Sequence, residues 1–282
     1  MTHNELIMAL RFDSHHPDGN VYECRISAST PRGPNSVKGI ILAGGSGTRL
    51  HPLTQVTNKH LLPVYDEPMI FKPLRTLAEA GITEVQMVIG GNGVGDIVKI
   101  CGSGLQMGVT LSYTHQDSPG GIAEALRLTR KYAKGEPVVV ILGDNIFEAN
   151  IGRYVRAFED SPDICQLFIT RSDQPERFGV AEVSEDGTVL GIEEKPKKPK
   201  SNFIVTGLYF YPPDIYDVID WVETNIGYSK RKELEITDVN NYYIKEGRCK
   251  ANTLEGFWSD AGTFPTLLRA ATFIAKKKGS AL

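Results

Sequence analysis

Residues Gly39–Thr54 read GIILAGGSGTRLHPLT, an apolar run that breaks into three glycines within four residues and then delivers an arginine. A β-branched run of this kind is a buried strand, and glycines at its end let the backbone turn tightly and bring its amides close to an anion. Three phosphate-binding designs can be tested against it. A Walker loop requires a lysine directly after its last glycine, and Thr48 follows Gly47. A dinucleotide fingerprint fits through Gly45 and Gly47 but then requires glycine or alanine where Leu50 stands. What remains is a strand and glycine turn followed by Arg49 and, ten residues on, by Lys59. Two cations beside such a turn suit a triphosphate; the plainer alternative is a tight turn whose arginine makes a surface ion pair.

From Val37 onward, apolar runs alternate with helix-like stretches, which defines an α/β fold with a largely parallel sheet. VKGIILA, TEVQMVIG, VTLSYT and PVVVILGDN read as strands, with helices predicted in PMIFKPLRTLAEAG, GDIVKICGSG and IAEALRLTRKYA. Ligands of open α/β sheets gather beyond the carboxyl ends of the strands, so the glycine turn and Asp144 are expected together there. After Asn145 the pattern changes. FGVAEVSEDGTVLGIEEKP alternates around Glu185-Asp186-Gly187 as an antiparallel hairpin does, NFIVTGLYFYP and RCKANTL are further strands, and IYDVIDWVETN, EITDVNNYYIKEG and TFPTLLRAATFIAKKK are helical. The lysine-rich EEKPKKPKS is a loop.

The 282 residues suffice for one large domain, expected over residues 37–282, with residues 1–36 as an amino-terminal extension. A formal net charge of −3 gives no general attraction to nucleic acid or an anionic membrane, so any phosphate must be met by local cations. No apolar run approaches the roughly 18 residues of a membrane span, and a soluble, cytoplasmic protein is expected. Cys24, Cys101, Cys165 and Cys249 are too scattered for a metal site and read as reduced thiols; His15 and His16 read as surface residues.

The segment LAGGSGTRLHPLT…NKHLLPV resembles the sugar-1-phosphate nucleotidylyltransferases, most of all their thymidylyltransferase branch. QDSPGGIAEAL, LGDNIF, PERFGVAEV, IEEKPKKPKSNFIVTGLYFY, KELEITDVNNYY and FWSDAGT resemble the same family in the same order, from about Val37 to Ile274. The resemblance implies a Rossmann-like, mixed but mostly parallel sheet flanked by helices, with an antiparallel sugar-binding portion. It implies transfer of a nucleotidyl group from dTTP to glucose 1-phosphate with release of pyrophosphate, Mg²⁺ as cofactor, and a homo-oligomer, often a tetramer. Asp144 and Asp260 match the metal-binding aspartates, a hard-oxygen pair suited to Mg²⁺. Arg49 and Lys59 match the residues that neutralise the nucleotide phosphates, and Leu42, Gly44, Gly45 and Gly47 the nucleotide-binding loop. Gln116 and Gly121 match the pair that reads the pyrimidine. On the acceptor side, Lys195 and Arg231 match the sugar-phosphate cations, and Gly179, Glu194 and Val205 the sugar contacts. Tyr209 either lines that pocket or belongs to the core.

Two residues depart from the family pattern: His60 replaces a common glutamine, which leaves UTP open as the nucleotide, and Lys232 replaces a common glycine beside Arg231. Other hexose 1-phosphates, and a non-catalytic sugar-nucleotide sensor, stand as further alternatives. An NAD-dependent oxidoreductase is disfavoured by Leu50.

Overall fold

The computed structural model describes residues 37–184 and 188–280. The extension, and the Glu185-Asp186-Gly187 turn expected within the hairpin, lie outside the described residues.

The opening strand β1 (Lys38–Ala43) is buried along its whole length. A small antiparallel pair, β2 (Pro63–Val64) and β3 (Glu67–Pro68), comes before helix α1 (Phe71–Glu79). Strand β4 (Glu84–Gly90), helix α2 (Val94–Cys101), strand β5 (Thr110–Gln116), helices α3 (Ile122–Arg127) and α4 (Arg130–Ala133) and strand β6 (Val138–Leu142) complete the first half. The parallel part of the sheet runs β5-β4-β1-β6, as the alternating pattern predicts. Next come β7 (Asn145–Phe147), α5 (Gly152–Asp160), β8 (Cys165–Arg171), β9 (Gly179–Val183), β10 (Val189–Glu194) and β11 (Phe203–Tyr211). The chain closes with α6 (Ile215–Asn225), α7 (Ile236–Lys245), β12 (Cys249–Thr253), β13 (Trp258–Asp260) and α8 (Phe264–Lys277).

Strand β11 turns the sheet from parallel to antiparallel, pairing antiparallel with β6, β8 and β9. The β9–β10 hairpin hangs from it, and β12 adds parallel to β8. Alternate residues of the central strands feed two cores. Ile40, Leu42, Val88 and Val140 pack with Ile219 of α6 and Val239 of α7, whereas Ile41, Ala43, Met87 and Ile141 pack with Leu74 and Leu77 of α1 and Phe158 of α5. Each large aliphatic side chain so buried contributes about 1.5–3 kcal/mol.

Three expectations are corrected. The helix predicted over IAEALRLTRKYA is two helices, because the Thr129 hydroxyl turns back 2.7 Å to the Leu126 carbonyl and lies 2.8 Å from the Tyr216 hydroxyl. The helix predicted from Pro68 begins at Phe71, because Pro68 is used in β3. Strand β8 and helix α5 were not expected at all. In β8 five consecutive residues are buried, so the period-two alternation that marks a half-exposed strand is missing.

Candidate active site

The apolar register of β1 delivers Gly44–Gly47 beyond its carboxyl end, beside the residues that follow β6. The Leu42 side chain lies in the core, and its carbonyl accepts a 2.9 Å hydrogen bond from the Gly143 amide, tying the two strand ends together. Gly45 and Gly47 hold φ of 96° and 63°, the left-handed region in which a side chain is strained. Thr54 closes the turn, its hydroxyl donating to the Gly47 carbonyl at 2.7 Å. A side chain at Gly44 would run into the carboxamide of Gln116, so this buried amide flanks the glycine turn.

Arg49 lies in the short helical turn Thr48–Leu50 and Lys59 in a second, Lys59–Leu61. The second turn is capped by Asn58, whose Oδ1 accepts from the His60 amide at 3.0 Å and lies 2.8 Å from His60 Nδ1. The Asn58 amide donates to the Gly90 and Asn92 carbonyls at 3.0 and 2.8 Å, fastening the turn to the end of β4. His60 is fully buried, and burial together with the Lys59 charge pushes its pKa down to about 3. The ring is therefore neutral at physiological pH, with its buried Nε2 unpaired.

Lys59 reaches across to Asp144, Nζ to Oδ2 2.7 Å. Burial alone would raise the Asp144 pKa, but the Lys59 charge and hydrogen bonds from Lys59 and Asn145 hold it below the usual carboxylate range. Strand β13 pairs with β7 so that Asp260 stands opposite Asn145, which brings the second aspartate to the first. The position a Cβ would take on Gly262 lies 3.1 Å from Arg49 Nη2, 3.1 Å from Asp260 Oδ2 and 3.5 Å from Asp144 Oδ2. One guanidinium and two carboxylates thus converge on a single point. Burial and the Asp144 charge raise the Asp260 pKa, against the Gly262 amide and the charges of Arg177 and Arg49. Two carboxylates facing each other in this way fit a hard divalent cation. Among the described residues no group of three or more His, Cys, Asp or Glu is placed to hold a metal ion, so such an ion would fill its remaining positions with phosphate oxygens and water.

A second group forms around Glu194 at the end of β10. Its Oε1 lies 3.0 Å from Lys195 Nζ and 3.3 Å from Arg231 Nη2, and its Oε2 accepts the Thr237 hydroxyl at 2.9 Å. Gly179 pairs with Glu194 across the hairpin, and the half-buried Val205 stands on the neighbouring β11. Arg231 also binds the Glu235 carboxylate through two 2.9 Å bonds. Lys232 holds φ 61°, so the backbone keeps the conformation that glycine favours despite the substitution. Gly121 packs against the Leu234 backbone, which joins the QDSPGG loop to the segment carrying Arg231. Tyr209 is buried and stacks on Tyr211; it is a core residue.

Sequence reasoning did not single out Asn58, Asn145, Thr237 or Arg177. Asn58 had a local signal, an asparagine directly before a helical turn; the others depend on contacts between distant segments.

A family model described as nucleotidyl transferase matches residues 38–277. The chain is 41% identical to a glucose-1-phosphate thymidylyltransferase of Mycobacterium tuberculosis, over 84% of this chain and 82% of that one. It is 42% identical to the enzyme of the same name from Xanthomonas campestris pv. campestris, over 84% and 80%. A solved Bacillus anthracis structure, provisionally named a glucose-1-phosphate thymidylyltransferase, superposes with a TM-score of 0.79 at 45% identity, covering 84% of this chain and 94% of that one. A UDP-glucose pyrophosphorylase complexed with UDP-glucose shares the fold, with a TM-score of 0.73 at 24% identity, over 86% and 99%. The chain belongs to the nucleotidyl transferase family. It is an enzyme of the nucleotidyltransferase class, and among the described residues no helix is long and apolar enough to cross a membrane.

Proposed function

We propose that the enzyme transfers the nucleotidyl group of dTTP to glucose 1-phosphate, giving dTDP-glucose and pyrophosphate, with Mg²⁺. The observation that carries this reading is the meeting of Arg49, Asp144 and Asp260 over Gly262, beside a glycine turn and Lys59. The names of the relatives at about 40% identity support the substrate pair.

In this reading an oxygen of the sugar phosphate bonds to the α-phosphorus while the bond from that phosphorus to the oxygen bridging to the β-phosphorus breaks. Pyrophosphate leaves in line, and no protein nucleophile is required. The site supplies position and charge. Arg49 and Lys59 neutralise the triphosphate as negative charge builds on the leaving group, and the amides of Gly44–Gly47 cradle it. Asp144 and Asp260 hold the divalent ion, which when bound screens the phosphates and polarises them toward attack. Gln116 offers a donor and an acceptor to a pyrimidine edge. Lys195 and Arg231 hold the acceptor phosphate against its repulsion by the triphosphate, and Glu194 accepts from sugar hydroxyls.

The test is pyrophosphate release from the purified protein with glucose 1-phosphate and each nucleoside triphosphate in Mg²⁺. Release with dTTP is expected to exceed that with purine nucleotides. A large excess with UTP over dTTP would reassign the base, and nucleotide binding without turnover on any hexose 1-phosphate would make the protein a sensor.

A further inference from the structure

The two groups of site residues belong to different parts of the sheet, yet the reaction needs them at a fixed separation. One buried side chain touches the triphosphate side and is linked through its neighbours to the other. Asn145, the residue after Asp144, is 3% exposed. Its Nδ2 donates to Asp144 Oδ1 at 3.0 Å. Its Oδ1 accepts from the Trp258 indole at 2.8 Å and from the Gly207 amide at 3.0 Å. Trp258 in turn meets the ring of Phe178 edge-on at 5.6 Å, and the Phe178 carbonyl accepts the Lys195 amide at 3.0 Å. A continuous chain of contacts therefore runs from the Asp144 carboxylate to the backbone of Lys195, and Asn145 is its junction.

The junction has also shaped the strand it grips. Gly207 lies where the register of β11 shifts between Val205 and Tyr209, and its φ is not in the left-handed region. Glycine is required there for space: a Cβ would stand 2.7 Å from the Asn145 amide carbon and nitrogen.

Resting on the reading above, we infer that Asn145 is a positioning residue that sets the distance between the triphosphate end of the site and the sugar-phosphate end. Its carboxamide oxygen accepts two N–H groups and its nitrogen donates to the Asp144 carboxylate, so it acts through Asp144, Trp258 and β11. An amide suits this position because it combines one donor for a carboxylate with an acceptor for two N–H groups. A displacement of about 1 Å between reacting groups costs on the order of 100-fold in rate.

The test is a double-mutant cycle of Gly207→Ala and Asn145→Ala. Gly207→Ala pushes a methyl group into the carboxamide and alters no residue assigned to substrate; Asn145→Ala removes the carboxamide and makes room for that methyl. Each single variant is expected to lower kcat on the order of 100-fold with the KM values moved little. The double variant should be no worse than Asn145→Ala alone. A second reading needs neither substrate nor metal. The chain has two tryptophans, so in a Trp221→Phe background Trp258 is the only indole emitter, and its emission should shift in Asn145→Ala and in Gly207→Ala by the same loss of its hydrogen-bond partner. Additive effects on kcat, or unchanged Trp258 emission in folded variants, would overturn the clamp. If the unmodified protein turns over no nucleotide–sugar pair, the proposed reaction fails; the emission arm still decides whether the clamp exists.

Discussion

The ammonium of Lys59 stands 2.7 Å from Asp144 Oδ2, with the two side chains only 14% and 13% exposed. The pair links the turn after the glycine loop to the end of β6, and each member is the other's main compensation for burial. Asp144→Asn removes the charge without removing volume, so the fold should persist while turnover falls by a factor of about 100 or more. Lys59→Met strands a buried carboxylate and should destabilise the protein by about 3 kcal/mol in urea denaturation. Combining the two substitutions should restore much of that stability and none of the activity. Near-normal turnover in Asp144→Asn would show that the ion is held elsewhere.

Asp260 has the opposite character. Burial and the neighbouring Asp144 raise its pKa, so its charged form weakens the metal-free fold. The stability attached to this group is full below the pKa of the unfolded chain and is lost as pH rises through the higher folded value. At neutral pH, Asp260→Asn should therefore melt at a higher temperature than the unmodified protein in a chelating buffer. Added Mg²⁺ should raise the melting temperature of the unmodified protein and not that of the variant. An Asp260→Asn protein that is less stable without metal, or still stabilised by Mg²⁺, would contradict the assignment.

His60 predicts an acid sensitivity. Its ring is enclosed by Asn58, Lys59, Gly143 and Asp144, and its folded pKa is about 3 against 6.5 in the unfolded chain. Between those values the unfolded chain binds a proton that the folded protein refuses. Stability should thus fall by about 1.4 kcal/mol per pH unit on acidification below roughly pH 6.5. The depressed pKa of Asp144 adds a loss of the same sign only at lower pH, once carboxylates of the unfolded chain protonate. Replacing the histidine by glutamine, the residue common in the family, should flatten the curve between pH 5 and about 6.5. Denaturant midpoints measured across that range check it, and an equally steep curve in His60→Gln would assign the sensitivity to another group.

The sequence discloses the sheet where one strand face or both obey a simple rule, and the site where chemistry is local. The bounds of IYDVIDWVETN agree with α6 residue for residue, because five buried side chains recur along one face. Strand β8 was missed because it is buried on both faces, and α5 because it buries only Gly152, Val155 and Phe158 and follows Ile151, which offers no side-chain cap. Arg49, Lys59 and Asp144 were legible from a glycine turn and a strand end. Their meeting with Asp260 was implied only by the family resemblance and not by any local pattern, since it depends on β13 pairing with β7 across more than a hundred residues of chain. Asn145 shows the limit most clearly: as a letter it is a residue after an aspartate, and two of its three hydrogen bonds, from Gly207 and Trp258, exist only once β11 and β13 are in place.

Arg231 and Lys232 are neighbours for which opposite outcomes are expected: loss of the proposed acceptor cation, and loss of a side chain the fold merely tolerates. Arg231 is gathered by Glu194, Glu233 and Glu235 and stays half exposed toward the Lys195 side of the site. Arg231→Ala should raise the KM for glucose 1-phosphate by about tenfold or more while metal-free dTTP binding is unchanged, because a charge-assisted contact to phosphate contributes about 1.5–3 kcal/mol. Lys232 is exposed and held at φ 61° by the turn whose amide bond to the Ser229 carbonyl is 2.8 Å. Glycine adopts that conformation without a Cβ clash, so Lys232→Gly should stabilise the protein by about 1 kcal/mol or less and leave both KM values as they are. Calorimetric titration of each substrate, alongside steady-state kinetics of the two variants, decides between them. An unchanged glucose 1-phosphate KM in Arg231→Ala would remove Arg231 from the acceptor site, and a large kinetic defect in Lys232→Gly would mean that the lysine itself meets a substrate.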